Sequence, residues 1–95
     1  MSAILNTYNR KKISFKKGKG SFLYSTNGKK YLDFVQGIAV CSLGHANPSL
    51  IKAITRQSKK LWHDSNAFQI PEGENLAKKL TQKTFADFVI FQNSG

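Results

Sequence analysis

The sequence predicts an α/β fold made of a small antiparallel β-hairpin region, two helices and the first buried strand of a larger domain. Three observations carry that prediction. Strand-like runs flank Asn27-Gly28, a strong short hairpin signal because both turn positions need positive φ. Two stretches beginning at Pro48 and Pro71 repeat apolar residues at helical spacing. Phe88-Val89-Ile90-Phe91 is a continuous apolar run, expected of a strand covered on both faces in a parallel sheet.

Taken in order, residues 1–19 read as a basic N-terminal arm whose end, Phe15 to Gly20, is a flexible, charged lead-in. A two-residue Asn27-Gly28 loop would pair Tyr24 with Tyr31, Leu23 with Leu32 and Phe22 with Asp33. Both faces of that hairpin are partly apolar, so it needs a further strand and a covering layer. The chain is organised around Tyr31 to Pro48, where a strand enters, a glycine-punctuated crossing follows and a helix leaves. Gly37 and Gly44 bracket the apolar run Ile38 to Leu43 and permit backbone turns at each end.

Asn47-Pro48 reads as N-cap and first helical residue. The helix to Leu61 buries Leu50, Ile54 and Leu61, with Lys59 and Lys60 favouring its C-terminus. Trp62 to Phe68 is a loop of mixed chemistry, with Trp62 and Phe68 as packing residues. Pro71 opens a second helix to about Lys83, with Glu72 and Glu74 in its first turn and Leu76, Ala77 and Leu80 as its buried stripe. The segments 20–69 and 70–95 are read as the hairpin, crossing and first helix, and as the start of a larger, truncated domain.

Composition narrows the function classes. The 95 residues are 40% hydrophobic and 12% aromatic, too apolar for a disordered chain. No apolar stretch approaches 20 residues, so no membrane span is expected, and Met1 to Lys19 lacks the apolar centre of a secretory signal. A single cysteine, Cys41, excludes an intrachain disulfide and fits a reducing cytoplasm. The net charge of +10 keeps a small basic nucleic-acid-binding module as an alternative. Against it, 13 of the 15 cations are lysines spread over solvent faces, and no nucleic-acid-binding signature is present.

The turn Phe91-Gln92-Asn93-Ser94-Gly95 carries the most chemistry. A small-residue turn that enters a helix presents free N–H groups at the positive end of the dipole, ready for a phosphate. Ser94 adds a hydroxyl, although Ser-Gly is also common in ordinary turns. His45 reads as a packing or capping residue. His45 and Cys41 have no second pair to complete a zinc site, and the spacing of Asp33, His45 and the serines does not support a nucleophilic triad.

Four separated blocks now stand in order. They are Gly20 to Gly28 with Lys29-Lys30-Tyr31-Leu32-Asp33-Phe34, and Gly37-Ile38-Ala39-Val40 with Leu43-Gly44-His45. Then come Leu61-Trp62-His63 with Ser65-Asn66-Ala67-Phe68, and Leu76-Ala77-Lys78-Lys79-Leu80 through Asn93-Ser94-Gly95. Together they resemble the opening of a class-III pyridoxal-phosphate aminotransferase, nearest the acetylornithine branch. Asn47, where a second His is common, and Gln69, where an aromatic is frequent, depart from that pattern.

The resemblance implies the N-terminal fragment of a fold-type-I pyridoxal-phosphate-dependent transferase, a cytoplasmic homodimer of arginine biosynthesis. It would move an amino group between N-acetylornithine and 2-oxoglutarate through pyridoxal 5'-phosphate, with ornithine and succinyl-diaminopimelate aminotransferases as alternatives. It further implies that Ser94 and Gly95 bind the cofactor phosphate, and that segments around Gly37 to Val40 and Ser65 to Phe68 line the substrate entrance. The cofactor-binding lysine of such enzymes lies beyond residue 95, so no catalytic residue is assigned here and the fragment is expected to be inactive. No metal, nucleic-acid or membrane partner is implied.

Overall fold

A computed structural model describes residues 2–95. They form two compact units, one ending at Arg56 and the other covering Gln57–Gly95.

The first unit is built on a three-stranded antiparallel sheet in the order β1-β2-β3, with β1 Phe15–Lys19, β2 Phe22–Ser25 and β3 Lys30–Leu32. β1 corrects the expected flexible lead-in: it is the further strand that the two-faced hairpin required. It pairs Lys17 with Tyr24 and Lys19 with Phe22, and a register irregularity falls between Phe15 and Lys17. That shift turns Phe15 onto the side of Tyr31, where the two rings meet edge to face at 5.6 Å. On the opposite face Lys17 lies over the Tyr24 ring and Lys30 over Phe22, at 5.0 and 3.9 Å from the ring centroids.

The hairpin register differs by one residue from the expected one. Tyr24 pairs with Lys30, Leu23 with Tyr31 and Phe22 with Leu32. The loop therefore holds three residues, Thr26 to Gly28, with Ser25 N–H donating to Lys29 C=O at 2.9 Å. Gly28 at φ +87° supplies the left-handed residue that such a loop needs. Ser25 decides the outcome. At 2% exposure it is the one buried polar residue among those described, and its hydroxyl bonds Asn27 Oδ1, Lys29 C=O and Lys29 N–H. A two-residue loop would have left that network unmade.

Helix α1, Pro48–Ser58, begins where the sequence places it. Asn47 Oδ1 accepts from the N–H groups of Ser49 and Leu50 at 3.0 and 3.2 Å, which satisfies two of the orphan donors of the first turn. The helix ends three residues earlier than the expected Leu61, so Lys59 and Lys60 follow it rather than close it. Helix α2, Pro71–Lys83, has Pro71 at its start, Glu72 and Glu74 in its first turn and Lys83 in its last, all in the order the macrodipole favours.

No hydrophobic residue is buried among those described. The stripes expected to be buried, Leu50 and Ile54 on α1 and Leu76 and Leu80 on α2, are exposed, because no layer covers them. Phe88 to Phe91 is irregular rather than a strand, and Phe88 is 92% exposed. An apolar run becomes a strand only when a neighbour takes its backbone N–H and C=O groups, and no described residue does so.

Candidate functional site

The end of β3 holds a tightly connected group. Asp33 N–H donates to Ser21 C=O at 2.8 Å, which continues the pairing of the hairpin. Its Oδ1 accepts from the N–H groups of Val35 and Gln36, both at 3.0 Å. Its Oδ2 accepts from His45 Nε2 at 2.6 Å. The backbone of His45 is bonded both ways to Gly20, at 2.8 and 2.9 Å. The Asp33 side chain is only 5% exposed and that of His45 20%. The N–H of Gln36 first, and then the His45 ring, hold the Asp33 carboxyl below its ordinary range.

Glycines make the crossing possible. Gly44 lies at φ +78°, and a β-carbon there would come within 3.0 Å of the Gly20 carbonyl oxygen. Sequence reasoning read His45 as a packing or capping residue; the structure gives it Asp33 as a partner. No signal in a single sequence links residues 12 apart across a crossing, although Gly44 directly before His45 marks a close backbone approach.

Between these residues the chain makes a turn that the sequence did not announce. Gln36, Gly37, Ile38 and Ala39 all have positive φ, at 54, 62, 64 and 61°. N–H of Ala39 bonds Val35 C=O and N–H of Val40 bonds Gln36 C=O, both at 3.0 Å. This is a single turn of left-handed helix. Only Gly37 adopts that region freely; at about 1–2 kcal/mol per L-residue, Gln36, Ile38 and Ala39 together cost about 3–6 kcal/mol. Strain of that size persists only where surrounding bonds over-determine it. Ile38 is carried outward, 87% exposed.

In the second unit, Ser94 lines an open hollow of about 660 Å³ with His63, Asn66, Phe91, Gln92 and Asn93. Two parts singled out in the sequence, the loop after Trp62 and the Ser94 turn, thus share one wall. The lining holds hydroxyl, amide and imidazole groups and no carboxylate, a donor set that fits a phosphate. Gly95 does not line it, and a β-carbon there would meet nothing within 4 Å. Asp64 Oδ1 accepts from Ser65 N–H at 2.8 Å, so this carboxylate shapes its own loop. Trp62 is not a packed ring; it is exposed, and its indole N–H caps α1 by donating to Ser58 C=O at 2.7 Å. Cys41 is a free thiol. Among the described residues no group of His, Cys, Asp and Glu could hold a metal ion, and no helix is long and apolar enough to cross a membrane.

Residues 4–95 match the family model described as aminotransferase class-III. The chain belongs to the class-III aminotransferase family. It is 52% identical over 92 residues to acetylornithine aminotransferase 1 of Bradyrhizobium diazoefficiens, covering 97% of this chain and 23% of that protein. Among solved structures it is similar to the acetylornithine aminotransferase of Elizabethkingia anophelis, with a TM-score of 0.84 and 27% identity over 88% of this chain and 22% of that one. It is also similar to the ornithine aminotransferase of Toxoplasma gondii, which carries PLP at partial occupancy in its active site. There the TM-score is 0.73 and the identity 30%, over 81% of this chain and 19% of that one. The chain therefore spans about a quarter of the length of the curated relatives it matches.

Proposed function

We propose that this chain is the N-terminal part of a pyridoxal-phosphate-dependent acetylornithine aminotransferase. The whole enzyme would move an amino group between N-acetylornithine and 2-oxoglutarate, in arginine biosynthesis, as a cytoplasmic homodimer. The observation that carries this reading is the 52% identity to an acetylornithine aminotransferase along 97% of the chain. In this reading residues 1–19 are an arm, 20–69 carry the hairpin, crossing and first helix, and 70–95 open the cofactor-binding domain.

Pyridoxal phosphate would supply the electron sink for amino transfer. This segment's part is to bind and orient. Ser94 offers its hydroxyl and Gly95 its N–H to the cofactor phosphate. Gly37 to Val40 and Ser65 to Phe68 line the path of the substrate. None of the 13 lysines here is assigned the covalent link to the cofactor.

The test is amino transfer by the whole enzyme from N-acetylornithine, ornithine and succinyl-diaminopimelate to 2-oxoglutarate. N-acetylornithine should give the highest kcat/KM, and a preference for either other donor would sink the assignment. Ser94→Ala should weaken cofactor retention by about tenfold, the loss of one charge-assisted hydrogen bond; unchanged retention would remove Ser94 from the phosphate site.

A further inference from the structure

We propose that Asp33 and His45 are a positioning pair whose hydrogen-bonded tie holds residues 36–39 in their left-handed turn, and so sets the wall of the substrate entrance. The second half of this inference rests on the reading that Gly37 to Val40 line that entrance.

The turn needs an external hold. Its own backbone bonds, from Ala39 to Val35 and from Val40 to Gln36, would form equally well in a right-handed turn. L-residues prefer the right-handed hand. What differs is how the two ends of the crossing are held. Asp33 Oδ1 captures the N–H groups of both Val35 and Gln36, a cap that Asn47 also gives right-handed α1, so it anchors the entry while the hand is selected by tying the exit to the same carboxylate. The carboxylate can do this only if it is itself fixed. It is fixed on one side by the strand, through Asp33 N–H and Ser21 C=O, and on the other by His45 Nε2. His45 in turn cannot drift, because its backbone is paired both ways with Gly20.

The two ends of the crossing are therefore fastened to the sheet, and to each other, by one carboxylate. Between them Ile38 and Val40 point out of the unit, both exposed. If the turn relaxed to the right-handed form, the side chain of Ile38 would leave its present direction. The tie thus selects which apolar surface the crossing presents.

The experiment uses the whole enzyme with Asp33→Ala, His45→Ala and His45→Gln. Glutamine can still place an N–H donor toward the Asp33 carboxylate. Amide exchange over residues 34–41 reads the tie with no substrate present. Both alanine variants should exchange about tenfold faster there, and His45→Gln should return most of the protection. With substrate, the alanine variants should show a KM for the amino donor raised about tenfold, with kcat within about twofold and cofactor absorbance unchanged.

Unchanged exchange in Asp33→Ala overturns the tie. Faster exchange with unchanged KM, or a fall in kcat matched by cofactor loss in all three variants, overturns the positioning role. If the parent enzyme transfers no amino group from N-acetylornithine, the proposed function falls, while the exchange result still decides whether the tie holds the turn.

Discussion

The His45 ring lies against Gly18 so closely that a β-carbon on Gly18 would sit 2.5 Å from His45 Cγ and 2.6 Å from its Cβ. Rotation about the Cα–Cβ bond of His45 can carry Cγ away, but it leaves Cβ where the backbone puts it. Gly18→Ala must therefore push His45 off Asp33 or bend β1. It should destabilise the sheet unit by about 1–3 kcal/mol, measured as a shift in the denaturant midpoint. A neutral Gly18→Ala would show that the ring does not occupy this place.

Much of this was legible beforehand because it is local. The N-cap at Asn47, the start of α2 at Pro71 and the acidic first turn of α2 each follow from residues within a few positions of one another. The hairpin was legible in kind but not in register, because the Ser25 hydroxyl outweighs the two-residue preference of Asn-Gly. β1 was missed since Phe15-Lys16-Lys17-Gly18-Lys19 has almost no strand propensity of its own; pairing with β2 overrides it. The Asp33–His45 pair and the left-handed turn were out of reach, for both depend on a crossing that brings distant residues together.

Ala39 bears a left-handed φ of +61° that glycine adopts at no steric cost. Glycine also loses more freedom on ordering, which offsets part of the gain. Ala39→Gly should stabilise the crossing by about 0.5–1 kcal/mol. Thermal unfolding should rise accordingly. A lower midpoint would mean that the residue takes the ordinary right-handed form.

Ser25 bonds both the C=O and the N–H of Lys29 from a buried position. Ser25→Ala leaves the closing pair of the loop without that hydroxyl, at about 1–3 kcal/mol for buried groups left unmade. Cross-strand contacts between Tyr24 and Lys30, followed by NMR, should weaken first. If they persist at full intensity with unchanged stability, the hydroxyl does not set the register.

Asp33 gives the fold an acid-sensitive joint. Its carboxyl is held below the ordinary value, first by the Gln36 N–H and then by the His45 ring, with burial opposing them. A native carboxyl that titrates below its unfolded counterpart binds fewer protons than the unfolded chain does. Its stabilisation is therefore fully present above the unfolded value, about 3.9 for Asp, and disappears as pH falls through the lower native midpoint. Between neutral pH and about 5 the crossing should hold unchanged as far as Asp33 is concerned. As pH falls through that lower native midpoint, protonation removes the acceptor that Val35, Gln36 and His45 share. The carboxyl carbon shift of Asp33 should report a midpoint under the free value, and the protection of amides 34–41, taken relative to their intrinsic exchange at each pH, should fall along the same curve. Asp33→Asn should abolish that acid-dependent component. A midpoint at or above the ordinary Asp value would mean that the carboxylate is not gripped by these three donors.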